Sequence, residues 1–276
     1  MEMQQLRVIS LTARVNNWLA YSQYPRILHV FDHVFNLINE RGEVLSIVRR
    51  KIGNGPFNLV VEGRGLFSRA LTVESPVSIT GNQLRIGSLT VRTMGAEYWS
   101  PRPDWERLRE LRDKIAGQLD ALPDLDSETP GQFTYHFTSA LARRDISGAK
   151  AAASRLAGLG AGLTPAGDDF LMGALYANWI LHPPGQAELL AKAAADTAAP
   201  LTTSLSAAWL RAAGRGEAGA SWHQYLEALA ASNPDRVRVT MERILSIGAT
   251  SGAEALAGFS RTFHSYRETT ETHVLS

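Results

Sequence analysis

Residues 170–180, FLMGALYANWI, are apolar on every face of a helix. A helix with no polar face has to be buried. Whatever stands at its start is therefore carried towards the interior. That start is GLGAGLTPAGDDF, residues 158–170. Gly158, Gly160 and Gly162 make a flexible approach. Thr164 is expected as the N-cap, with Pro165 at the first helical position. Asp168 and Asp169 then fall in the first turns of a buried helix. Carboxylates there are costly unless paired, hydrogen-bonded or bound to a cation. The glycines leave backbone N–H groups free to point at an anion at the helix N-terminus. Acids in a first turn are also favoured by the macrodipole alone, and a glycine before a helix is often only the C-cap of the preceding one. Two acids, three spaced glycines and a Thr-Pro start together favour a site for a phosphate or carboxylate. The motif is not a Walker loop, because the Lys-Ser/Thr ending is missing. It is not a dinucleotide fingerprint either, because an Ala-rich helical segment precedes it and no strand does.

Composition narrows the function classes. The chain has 276 residues, 45% of them hydrophobic and 20% charged, enough for a core and against disorder. A net charge of +1 gives no electrostatic case for nucleic acid or an anionic membrane. There is no cysteine, which removes disulfides, thiolate metal sites and a Cys nucleophile. The first thirty residues show no signal-peptide pattern, and the longest apolar stretch, 170–181, is too short to span a bilayer. A cytoplasmic protein is the expectation.

The grammar changes once along the chain. Short β-rich runs at 7–13, 27–38, 44–49, 58–61, 70–73, 77–80 and 89–93 are punctuated by Gly42, Gly53, Gly55, Gly63, Gly65, Gly81 and Gly87. No helical pattern of useful length separates them, so a parallel βαβ sheet is not expected. After Pro101 and Pro103, Asp104 can cap a helix through about Leu119, and residues 122–131 read as a polar connector. From Phe133 the chain is Ala-rich and helical, with breaks at 158–162, 183–184, 200, 214–219, 233–234 and 248–252. The tail, 267–276, is expected to fray. The fold class is α+β: an N-terminal antiparallel β-barrel- or sandwich-like part, residues 1–100, then a mainly helical part, residues 101–276, carrying the glycine-rich motif. The two need not be independent units.

Two other helix starts repeat the first one's logic. Thr202, Thr203, Ser204 and Ser206 cluster after Pro200, and Gly248, Thr250, Ser251 and Gly252 form a glycine turn with hydroxyl caps. Capping alone accounts for each taken singly. Converging on one cavity, the three starts would make an anion pocket of amides and hydroxyls. His29, Asp32 and His33 fall in an expected strand at spacings that do not suit metal chelation.

The run GLGAGLTPAGDDFLMGAL, residues 158–175, resembles the signature of a bacterial family long catalogued as a domain of unknown function. That family includes a subunit of oxamate carbamoyltransferase from anaerobic allantoin breakdown. The segments Leu201-Thr202-Thr203-Ser204-Leu205-Ser206-Ala207 and Ile247-Gly248-Ala249-Thr250-Ser251-Gly252 match as well. Val34-Phe35-Asn36-Leu37 and Gly53-Asn54-Gly55-Pro56 match more weakly, and the second of these is expected to wall the site. Ala166 stands where Ser is expected in many members, so no hydroxyl role carries over there. The resemblance implies carbamoyl transfer in allantoin or purine nitrogen use, oxalurate plus phosphate to oxamate plus carbamoyl phosphate, alongside other protein subunits. With the residue chemistry above, substrate contacts are expected at Gly160, Gly162, Thr164, Gly167, Thr202, Thr203, Thr250, Ser251, Gly252 and Asn36, and catalytic roles at Asp168, Asp169 and Thr164. Asp168 and Asp169 are hard oxygen ligands that can hold Mg²⁺ or orient a substrate amide. No organic cofactor is expected. The competing classes are a non-catalytic ligand-binding or assembly subunit and an acyl-phosphate- or nucleotide-dependent ligase component. A purified chain that binds anions without turnover would favour the first. The missing nucleotide loop counts against the second.

Overall fold

The computed structural model describes residues 4–122 and 125–274. It divides into two compact units, Met1–Pro101 and Arg102–Ser276.

The first unit is a nearly closed β-barrel. Its elements in chain order are β1 (Gln4–Leu11), α1 (Ala13–Tyr21), β2 (Arg26–Val30), β3 (Val34–Ile38), β4 (Val44–Arg49), β5 (Asn58–Glu62), α2 (Phe67–Ala70), β6 (Val77–Thr80), β7 (Gln83–Ile86), β8 (Leu89–Arg92) and β9 (Glu97–Tyr98). The spatial order is β2-β3-β4-β5-β1-β8-β7-β6, with β9 added beside β1. The barrel-like form agrees with the sequence; uniform antiparallel pairing does not. β1 runs parallel to β8 and β9, and β4 runs parallel to β5. Side chains from Leu6, Phe35, Leu37, Ile47, Leu59, Val61 and Phe67 fill the interior. Two tight hairpins turn on glycines with positive φ, Gly81 (+56°) between β6 and β7 and Gly87 (+52°) between β7 and β8, where a side chain would be strained.

Three local expectations fail in this unit. Residues 27–38 form a hairpin, β2 and β3, with Asp32 and His33 in its turn. Residues 70–73 are not a strand, because the helical turn α2 ends at Ala70. The unexpected helix α1 is capped by the Thr12 hydroxyl, which accepts from Val15 N–H, and buries Val15, Trp18 and Leu19 on one face.

The second unit is helical: α3 (Trp105–Glu110), α4 (Arg112–Asp120), α5 (Gly131–Ala142), α6 (Ile146–Leu156), α7 (Ala166–Leu181), α8 (Pro184–Ala198), a 3-10 turn (Ala199–Leu201), α9 (Ser204–Gly214), α10 (Ala220–Ala231), α11 (Pro234–Leu245) and α12 (Ser251–Val274). Asp104, Asp145, Thr203 and Asn233 cap α3, α6, α9 and α11 with their side chains. As its composition demands, α7 is the buried axis; α3, α8, α9 and α12 pack around it. The expected helix through Leu119 breaks at Leu111 into α3 and α4. Residues 267–274 of the expected frayed tail continue α12, and residues 275 and 276 lie outside the described residues.

Candidate functional site

The approach to α7 reverses direction on alternate glycines, with φ of +71° at Gly158, +114° at Gly160 and +98° at Gly162. An L side chain resists all three, and a Cβ at Gly160 would also lie 2.8 Å from the Ala166 nitrogen. Residues 160–163 are exposed. Among the described residues, no backbone acceptor meets the N–H groups of Gly160, Ala161, Gly162, Leu163 or Thr164. Gly167 serves packing: its N–H donates to the Leu159 carbonyl at 2.8 Å, and a Cβ would strike the Leu156 carbonyl oxygen at 2.1 Å.

Thr164 is not the N-cap. Pro165 occupies that position, with φ −54° and ψ 144°, and its carbonyl accepts from Asp168 and Asp169 N–H. The fixed proline φ sets the entry into α7. Thr164 Oγ1 instead lies 2.9 Å from Ser251 Oγ, the first residue of α12. Thr203 Oγ1 donates to the Leu163 carbonyl at 2.6 Å while capping α9. Thr202 Oγ1 donates to Asp168 Oδ2. These bonds bring the three helix starts together at the N-terminus of α7. Thr250 belongs to the same turn; its carbonyl accepts from Glu254 N–H. Gly252 is a packing glycine, whose Cβ would meet the Ile244 carbonyl oxygen at 1.9 Å. Asn36 lies in β3 of the first unit, buried, accepting from the Ser46 hydroxyl at 2.6 Å.

The two aspartates diverge, as neighbours about 100° apart on a helix must. Asp168 takes the Gly158 N–H at 2.9 Å and the Thr202 hydroxyl. The Ser206 hydroxyl, buried without a full hydrogen bond, also favours its charge. Burial pushes the Asp168 carboxyl above its ordinary range, and these donors pull it back. Asp169 points to the α12 side. Burial pushes it up to about 8; the Ser251 and Thr164 hydroxyls oppose the rise, while Asp168 and Glu254 add to it. Asp169 Oδ2 is buried without a partner.

Glu254 was not anticipated. It is buried, and its carboxylate accepts from Ser127 Oγ (2.7 Å), Glu128 N–H (2.5 Å) and Thr129 Oγ1 (2.9 Å), tying the 125–131 connector to α12. The spacing Ser251-x-x-Glu254 is a capping-box pattern and was the available signal.

These residues do not fit a shared cation. Asp168 is occupied by its latch, Asp169 faces a different neighbour, and no group of three His, Cys, Asp or Glu side chains able to hold a metal lies among the described residues. A cleft of about 700 Å³ in the first unit, lined in part by Asn16, Asn17, Asn82 and Tyr98, contains none of the motif's residues.

Fold and site together define a two-unit α+β protein with a buried acid–hydroxyl cluster under an exposed glycine loop. The family profile described as oxamate carbamoyltransferase subunit AllH matches residues 156–263, and that of the AllH family N-terminal domain matches residues 7–98. The chain belongs to the AllH family. Its role is thus that of a carbamoyltransferase subunit, and such a subunit works with other protein subunits. No solved structure matches the chain. No helix among the described residues is long and apolar enough to cross a membrane.

Proposed function

We propose that this subunit binds the anionic substrate in the cytoplasmic transfer oxalurate plus phosphate to oxamate plus carbamoyl phosphate, during allantoin or purine nitrogen use. The observation that carries the reading is the convergence of three loops on one helix start, held by the Thr164–Ser251, Thr203–Leu163 and Thr202–Asp168 hydrogen bonds. In that reaction a phosphate oxygen attacks the carbamoyl carbon, the bond from that carbon to the oxamate nitrogen breaks, and the nitrogen takes a proton. The protein has to orient the phosphate and stabilise the negative oxygen that develops on the carbamoyl group. The free N–H groups of residues 160–164, on a loop fixed from both flanks, suit both tasks without reorganisation. Thr164 and Ser251 add hydroxyl donors at the rim.

The test is ligand-induced stabilisation of the full chain. Oxamate, phosphate and carbamoyl phosphate are expected to raise Tm by mass action, and neutral acetamide is not. Mg²⁺ added to the same samples distinguishes a metal-assisted site, which would show a larger shift, from the amide cradle, which would not. The absence of any shift with all three anions at millimolar concentration, with or without Mg²⁺, would overturn the reading for this chain by itself.

A further inference from the structure

An anion is expected to bind beside three buried acids, Asp168, Asp169 and Glu254. Asp168 and Glu254 are met by donors, two hydrogen bonds for the first and three for the second. Asp169 is met less fully: the residue is 6% exposed, the Ser251 and Thr164 hydroxyls favour its charge, and its Oδ2 has no partner. Its surroundings are the Thr164 and Ser251 hydroxyls, which already bond each other. The charged groups that face it are Asp168 from its own helix and Glu254 from α12, both acidic. Tyr176, two turns along α7, is a fully buried phenol kept neutral by burial. An ionised carboxylate with an unmet oxygen beside two like charges is the costliest state this cluster can adopt. A proton on Asp169 removes one of the three charges and supplies a donor to the hydroxyl pair.

We propose that Asp169 is carried as the neutral acid and is the specificity-determining residue of the site, its proton letting the Gly160–Thr164 loop accept an anion through the Thr164–Ser251 hydroxyl pair. This rests on the anion-binding reading above and deepens it. Loss of the proton puts a negative charge under the loop and expels the ligand. Burial places the change at about pH 8, so the site binds in the neutral range and releases above it.

The probe is oxamate, whose charge is constant across this range, titrated into the full chain at pH 6.5 to 9.5. In parallel, infrared difference spectra of ligand-free wild type against Asp169→Asn report whether the carboxyl is protonated. The expected wild-type result is constant affinity below about pH 8 and a weakening of about tenfold per pH unit above it, as for one linked proton. Asp169→Asn keeps a neutral donor and is expected to bind with a flat profile. The infrared band of an un-ionised carboxyl should be present in wild type at pH 7 and fade through pH 8. Ionised Asp169 at pH 7, a flat wild-type profile, or the same fall in Asp169→Asn overturns the proposal while leaving anion binding intact. Absence of oxamate binding at every pH in both proteins overturns this proposal together with the anion-binding reading.

Discussion

The Asp168 carboxylate joins the Gly158 amide and the Thr202 hydroxyl, two donors on segments that flank α7. Asp168→Ala leaves both without their acceptor. The expected loss is about 1–3 kcal/mol, read as a lower urea midpoint with unchanged slope. An unshifted midpoint would show that the latch carries no stability. Asp169 has the opposite character, and its signature is pH dependence. The folded chain holds its proton up to about 8, whereas an unfolded Asp ionises near about 4. Between those values the folded state binds more protons, so this stabilisation is complete below the unfolded value and is lost as pH rises through the folded one. Asp169→Asn has no such proton. The Tm of wild type minus that of the variant should therefore fall from pH 5 to 8 and level off above. A difference constant with pH would mean that Asp169 titrates normally in the folded chain. The sequence displayed the acids, the glycines and the hydroxyls, but not this division of labour. That depends on which neighbour each side chain meets, the α9 turn for one and α12 for the other. Glu254 stayed hidden for the same reason, since its partner Thr129 lies 125 residues upstream.

At the scale of elements, α7 and α12 approach closely enough for backbone to meet backbone. A Cβ on Gly173 would stand 1.7 Å from the Ala255 carbonyl oxygen, and one on Gly258 would stand 2.1 Å from that of Phe170. Gly173→Ala gains helix propensity worth up to about 1 kcal/mol. The carbonyl it strikes belongs to a packed helix and cannot swing aside, so overpacking of about 1–3 kcal/mol is expected to win. The variant should melt several degrees lower; an equal or higher Tm would mean that the helices separate without cost. In the sequence, Gly173 is a helix-interior residue with a propensity penalty and no visible reason. The reason is a neighbour more than eighty residues away. Burial of α7 was legible because its apolar pattern runs round the whole helix, whereas α1 is short and its buried residues sit among polar ones. The β2–β3 turn was missed because Phe31, Asp32 and His33 include neither glycine nor proline.

At the scale of the molecule, the two apolar cores share no residue among those described. One draws on side chains between Leu6 and Val91, the other on side chains between Trp105 and Phe263. The strand-to-helix change near residue 100 was legible from composition, but where the candidate site's parts fall was not, because Asn36 and the α7 motif were grouped by resemblance alone. The structure gives Asn36 a partner within β4, Ser46, and the α7 loop has partners in the second unit. A fragment spanning residues 102–276 contains the Thr164–Ser251, Thr203–Leu163 and Thr202–Asp168 hydrogen bonds and its own apolar core, so it is expected to melt cooperatively. It should also keep the oxamate-induced rise in Tm seen in the full chain. Asn36→Ala in the full chain should lower stability by about 1 kcal/mol, through the Ser46 hydroxyl it leaves unmet, and leave the oxamate shift unchanged. A folded fragment that has lost the shift, or a full-length Asn36→Ala variant that folds but no longer responds to oxamate, would show that binding requires the barrel unit. Retention in both would assign anion binding to the helical unit and leave the barrel a separate task, for which docking of the other carbamoyltransferase subunits is the first to examine.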